Sequence, residues 1–330
     1  MQTRAGQVIN PRSPTQRADS LFGFVLVLPA LLALLVVIAL PILKGIFVSF
    51  FSYKLKNISG SLFDFSRLPD VLSGKDDINS LLTLQWNDFA NYTSLFKRGE
   101  ILKYFGNTLE FVILTVGIQL ILGMAIALLL NSRIRGCGLF RSIMLIPWTI
   151  PSVVVAILWR WMIHQDFGVI NYVAYVMGFS EQLNVSWQVS NSLAMASIVM
   201  ASVWRQLPYM MVMLLAGLQS VDSSLEEAAH IDGANGWKTF LNVILPSIRP
   251  VLITSTWIAV MNNFQMYTII ANMNGTGAAT MTLSIAAYQE AFKSYNFGKG
   301  AAIGVMWLAL LFIITLLSNK LNDRYANDYQ

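Results

Sequence analysis

Long apolar runs alternate with short polar segments along the whole chain. Six windows are apolar enough, over about 20 residues each, to cross a bilayer's hydrocarbon core as helices. They are residues 21–43, 107–130, 139–163, 192–218, 247–271 and 301–319. The pattern predicts an all-α integral membrane protein of about six transmembrane helices, the lipid bilayer being its first partner. The first run follows a polar stretch holding Arg4, Arg12 and Arg17, as a secretory signal would. It is longer than a signal's apolar core, however, and no small-x-small cleavage site follows. It therefore reads as an uncleaved helix, punctuated by Pro29 and Pro41, with neighbouring helices re-satisfying the backbone groups that prolines free.

The polar interruptions divide the rest. Residues 1–20 form an N-terminal tail, 21–52 the first span and its extension, and 53–105 a large outer segment with Asp76-Asp77 and Lys97-Arg98. Residues 106–320 form a core of five spans, interrupted by a charged island at 219–246, and 321–330 form a C-terminal tail. Within the island, Ser223 or Ser224 is placed to cap a short helix, with Glu226 or Glu227 three residues on. Gly233 stands where that helix must stop. Trp237, Phe240 and Leu241 then give a second short helix an apolar face.

Composition and charge sharpen this reading. The 330 residues are 55% apolar and only 12% charged, against roughly 25% charged in soluble domains. The net charge of +5 belongs to the loops and sets membrane orientation; it does not point to nucleic acid. With the N-terminus inside, the cytoplasmic segments hold Arg133, Arg135, Arg141, Lys238, Arg249, Lys320 and Arg324 besides the tail arginines. The outer loop at 164–190 holds no lysine or arginine, and that at 272–300 holds Lys293 and Lys299. Both termini and the island then lie in the cytoplasm. A single cysteine, Cys137, excludes an intrachain disulfide, and nothing near it resembles a metal cluster. No phosphate-cradling Gly-x-x-x-x-Gly-Lys-Ser/Thr occurs, because Gly74-Lys75 runs into Asp76. His164 and His230 are far apart. No catalytic residue and no metal site is expected, and the chain does not read as an enzyme.

Candidate chemistry lies inside the spans. Arg205, near the middle of 192–218, sits where a charge costs at least about 2.5–3.5 kcal/mol on insertion scales, so it should face a cavity or a partner. Two roles stay open for it: a wall of a solute path, or a structural arginine on carbonyls freed by Pro208. The fifth span carries Asn262-Asn263-Phe264-Gln265-Met266-Tyr267, a mixture of amides and aromatic faces of the sort that binds sugars. A proton-coupled carrier would need an acidic relay in the membrane, and Glu110, early in the second span, is the only acid within the six windows.

The island carries a resemblance. Glu227-Ala228-Ala229, Gly233 and Leu245-Pro246 closely resemble the EAA loop of importer-type ABC transporter permeases, with Val243 in place of an isoleucine. The fuller pattern through Asp232, Gly233 and Ala234, with Phe240 and Pro250, is similar to the sugar-importing branch, the relatives of the maltose permeases. The similarity covers about residues 20–50 and 88–320. It implies a permease subunit forming half of the pathway for a sugar or oligosaccharide in a bacterial inner membrane. A homologous second permease, two ATP-binding ATPase subunits and an extracytoplasmic solute-binding protein complete the implied assembly. ATP and Mg are then held by the partners, and none is needed in this chain. The resemblance assigns coupling to Glu227, Ala228, Ala229, Asp232 and Gly233, and solute contact to Ser202, Arg205, Gln206, Tyr209, Thr256 and Asn263. It also reaches Ala259 and Val260, which are smaller or less polar than their counterparts, a departure that bears on the solute. The competing reading within the class is a permease for a non-sugar solute such as a phosphorylated polyol, with a secondary transporter as the remoter alternative.

Overall fold

The computed structural model describes residues 14–54, 68–75, 85–132, 136–178, 184–187, 191–273 and 277–327. Asp76-Asp77, Arg4, Arg12, Arg133 and Arg135 lie outside these described residues. Helix α1 (Pro14–Leu34) passes through one π-turn at Leu35–Ala39 into α2 (Leu40–Val48). Together they give an apolar stretch, Phe22–Val48, longer than the 21–43 expected. None of its most apolar window is buried within this chain.

Between α2 and the second span the described residues form β1 (Phe51–Ser52), α3 (Leu68–Leu72), β2 (Gln85–Trp86) and α4 (Ala90–Lys97). Strands β1 and β2 pair antiparallel, Phe51 opposite Trp86, a two-residue exception to the all-α expectation. Asn91 on α4 donates to the carbonyls of Ser49 and Phe51 at 2.8 and 3.0 Å, locking the end of the first span to α4. That lock admits no side chain at Gly298, where an added Cβ would lie 2.3 Å from the Phe51 oxygen.

Helix α5 (Glu100–Asn131) starts two turns before the apolar window at 107, so Glu110 sits well along it and is exposed. The expected third span is instead two helices, α6 (Cys137–Thr149) and α7 (Ser152–Met162), bent by 96°. Proline explains the break. Pro151 has no N–H to donate, and it pushes the preceding residue out of the helical region. Ile150 accordingly adopts φ −75°, ψ 132°. Helix α8 (Val169–Val176) follows, then the long α9 (Asn191–Gln219).

The island folds as α10 (Ser223–Ile231) and α11 (Gly236–Thr239), the latter running through a π-turn at Phe240–Ile244 into α12 (Leu245–Ser247). A 71° bend at Ile248 leads into α13 (Arg249–Phe264). The expected fifth span, 247–271, is broken again after Phe264, and α14 (Thr268–Met273) completes it. Helix α15 (Leu283–Tyr288), a π-turn at Gln289–Lys293 and α16 (Phe297–Asn327) close the chain. Among the described residues four helices are long and apolar enough to span a membrane, or up to six if each bent pair is one span.

The centre of the bundle is α5 packed along α9, the most extensive helix pair. Phe111, Val112 and Ala127 meet Ile198, Met210, Met211 and Leu214, all buried. In lipid such contact is held by close packing more than by expulsion of water. Gly123 permits it: a Cβ there would sit 2.9 Å from Met210 Cγ. Gly300 plays the same part at the start of α16, since a Cβ would meet Ala291 at 2.8 Å, whereas Gly304 one turn on has open space. Lys299 lies immediately before Gly300. Its Nζ donates to Glu290 at 2.7 Å and Glu100 at 3.0 Å, joining the first turns of α16 and α5. A second knot is Asn171, buried on α8, whose amide nitrogen donates to the carbonyls of His164, Gln165 and Val185.

Candidate functional site

A cavity of about 390 Å3 opens within the bundle among α5, α6, α9 and α13. Its polar lining is Gln119, Arg205, Gln206, Tyr209 and Asn262, beside Trp148, and its apolar lining is Ile258, Ala259 and Met266. Arg205, Gln206 and Tyr209 reach it from one face of α9 because positions one and four apart flank and stack on a helix. The Tyr209 ring leans on Trp148, with centroids 6.0 Å apart.

Arg205 is half-buried, and its Nε donates to the Ile150 carbonyl at 3.3 Å. That carbonyl is released by the α6–α7 break at Pro151, not by Pro208, around which α9 continues as a helix. The guanidinium thus staples the corner of the broken helix to α9 while also lining the cavity. The carbonyl bond expected of a structural arginine is present, with a different proline as its cause, and the same side chain borders the cavity.

Beside it, two amides form a reciprocal pair. Gln206 Nε2 donates to Asn263 Oδ1 at 3.0 Å, and Asn263 Nδ2 donates back to Gln206 Oε1 at 3.3 Å. Asn263 also donates to the Ala259 carbonyl at 2.8 Å and is 1% exposed. Asn263 therefore stands behind the cavity wall and holds Gln206 in place; its neighbour Asn262 does the lining. Ser202 and Thr256 are also off the wall. Ser202 is fully buried one turn before Gln206, and the Thr256 hydroxyl donates to the Leu252 carbonyl at 2.6 Å. Of the six expected contacts, the structure brings Arg205, Gln206 and Tyr209 to the cavity and leaves Ser202, Thr256 and Asn263 behind it.

Gln119 was not anticipated. It comes from α5, is 1% exposed, and its Nε2 has no partner among the described residues. A lone amide in the middle of the apolar 107–130 window was the available signal.

The island is a capped hairpin. Asp222, not Ser223 or Ser224, is the N-cap of α10, and its carboxylate accepts from the Ser224 amide at 2.9 Å. Hydrogen bonds from the Ser224 backbone and hydroxyl hold the Asp222 carboxyl below the usual carboxylate range. The cap is therefore made at neutral pH and lost on acidification. Gly233 has φ +80°. The Gly233 amide donates to His230 O at 3.1 Å and the Ala234 amide to Ala229 O at 2.9 Å, the paired bonds of a Schellman stop. Asn235 then caps α11 by accepting from Lys238 N at 2.9 Å. Glu227, Ala228 and Asp232 are exposed, Ala229 is half-buried, and Leu225, Ile231, Trp237 and Leu241 present apolar surface.

A polytopic helical bundle with a polar cavity among its spans, and a hairpin hinged onto one cavity-lining helix, is the architecture of a membrane permease. Residues 119–327 match the family described as binding-protein-dependent transport system inner membrane component, and the chain belongs to that family. It is 30% identical over 322 residues to the trehalose/maltose transport system permease protein MalF of Thermococcus litoralis, covering 97% of this chain and 99% of that one. It is 29% identical over 299 residues to the sulfoquinovosyl glycerol transport system permease protein SmoG of Agrobacterium fabrum, covering 90% and 89%. Its fold is similar to a chain in the crystal structure of a bacterial alginate ABC transporter in complex with alginate pentasaccharide-bound periplasmic protein. That match has a TM-score of 0.75 at 17% identity and covers 96% of this chain and 98% of the other.

Proposed function

We propose that this chain is one half of the translocation pathway of an ATP-driven importer for a sugar or oligosaccharide, working by alternating access. One observation carries the reading: the hairpin at 223–247 and the cavity are joined by a single mechanical element. Helices α11–α12 meet α13 at a bend on Ile248, which is 1% exposed and anchored by its N–H to Ile244 O. Helix α13 then supplies Ala259 and Asn262 to the cavity and Asn263 to the pair behind it. Force applied to the hairpin reaches the solute wall without crossing a flexible loop. The sugar class is supported by relatives whose own solutes are named as trehalose/maltose and sulfoquinovosyl glycerol. A lining of amides, a phenol and an indole suits ring hydroxyls and apolar sugar faces.

In this mechanism a binding protein delivers solute at the outer face, to this chain and a homologous second permease. Two ATPase subunits close on ATP and Mg and move the Glu227–Gly233 hairpin, opening the cavity outward; hydrolysis resets it. Reconstitution with the ATPases and binding protein tests the reading: solute-loaded binding protein should stimulate ATP hydrolysis and uptake, while this chain alone neither binds nor hydrolyses ATP. Uptake driven by a proton gradient without ATP sinks the proposal. Orientation is tested separately. In a Cys137→Ser background, cysteine placed at Ser180 should react with a membrane-impermeant thiol reagent on intact cells and cysteine at Asn235 should not. Labelling at 235 from outside overturns the cytoplasmic placement of the hairpin.

A further inference from the structure

Arg205 brings to the cavity a charge that no carboxylate among the described residues compensates. Guanidinium has five N–H donors. Nε is directed at Ile150 O, which leaves the four on the terminal nitrogens for the space beside it. Among the described residues no carboxylate lies within 4.0 Å of Arg205, and none of the nine lining residues is acidic. Glu110, the acid on α5, lies nine residues from Gln119 and is exposed on another part of the helix. A cation within the membrane region is tolerated where a counter-charge or strong acceptor meets it.

The neighbouring groups favour an acceptor-rich visitor. Gln119 keeps a buried, unpartnered amide nitrogen at the cavity. Gln206 is tied to Asn263 and so holds one orientation. The ring pair Tyr209–Trp148 supplies flat apolar surface. Donors therefore gather beside Arg205, with rings next to them.

Resting on the reading of this cavity as the solute path, we infer that the transported sugar bears an anionic substituent, a carboxylate or sulfonate, that pairs with the free edge of Arg205, with Gln119 as the second donor. Arginine suits this task because its planar fork meets both oxygens of such a group at once, which a lysine point charge does not.

The test uses the complete reconstituted importer and size-matched pairs of di- and trisaccharides, one member neutral and the other carrying a uronic acid residue. The parent should take up the acidic member of at least one pair preferentially. Arg205→Gln should lower acidic uptake by about 10- to 100-fold, as expected for loss of a charge-assisted contact, and change neutral uptake by less than about threefold. Arg205→Lys should keep part of the preference. Both variants lose the bond to Ile150, so damage to the fold alone would lower the two sugars equally and leave their ratio unchanged. A parent that carries only neutral sugars, or an Arg205→Gln ratio equal to the parent's, overturns the inference. Tyr209→Ala separates the two levels of the proposal. If it impairs both sugars while Arg205→Gln leaves the ratio alone, the cavity stands and the anion does not. If neither substitution alters uptake of any sugar, the cavity itself is wrong.

Discussion

Gly233→Val should lower solute-stimulated ATP hydrolysis and uptake by tenfold or more while the chain still inserts in the membrane. The residue sits at φ +80°, a region that costs an L-residue roughly 1–2 kcal/mol, and a β-branched side chain more. A backbone that relaxes away from it breaks the bonds from the Gly233 and Ala234 amides to His230 and Ala229. Helix α10 then loses its stop, and α11 is re-aimed relative to it. Nothing crowds the position, since no atom lies within 4 Å of an added Cβ; the effect is one of backbone conformation. Gly233→Asn should therefore be the mildest replacement, because asparagine tolerates the left-handed region. Glu227→Ala is the companion probe. Asp222 holds the N-cap, and Glu227 is exposed, so removing its carboxylate leaves the hairpin intact. Insertion and thermal stability should stay at parental levels while coupled ATP hydrolysis falls. Parental uptake by both Gly233→Val and Glu227→Ala would end the coupling proposal.

The parts of this architecture legible in the sequence are those written in continuous runs. Apolar windows fell on the four spanning-length helices and on both bent pairs, because in lipid the helix must close its own hydrogen bonds and its side chains must be apolar along its length. Gly233 was legible for a related reason: few residues stop a helix, and the one that does so most readily is glycine. What escaped was set by neighbours. Pro151 breaks the third span by 96°, yet membrane helices often carry prolines without breaking, so its presence alone decided nothing. Asp222, Ser223 and Ser224 are all competent caps, and the aspartate is the one whose backbone is extended, at φ −69° and ψ 123°, with its carboxylate on the Ser224 amide. Asn262 and Asn263 are consecutive and about 100° apart around the helix. Which of them lines the cavity depends on Gln206 being opposite the second. Gln119 had no patterned partner in sequence, its role arising from where α5 lies against α9.

Asn263→Leu should damage stability as well as transport, because the lost amide holds Gln206 in place from behind the cavity wall. The substitution leaves Gln206, 9% exposed, with no partner for an amide that now makes two bonds, at 3.0 and 3.3 Å. A buried polar group left unpaired costs about 1–3 kcal/mol, although partners found elsewhere in a membrane protein lower such values. A drop of several degrees in the melting temperature of the solubilised complex, together with a severe loss of uptake, is the expected result. Gln206→Leu alone should behave similarly by orphaning Asn263, which would keep only its bond to Ala259 O. The double variant Gln206→Leu/Asn263→Leu replaces both partners by apolar groups and should recover most of the lost stability. Its uptake should remain low, since Gln206 is part of the cavity wall. Stability that recovers without transport separates the two functions of the pair: the bond fixes the α9–α13 contact, and the held amide faces the solute. If the double variant regains transport as well, Gln206 acts only as a structural link, and solute contact falls to Arg205, Tyr209, Asn262 and Gln119.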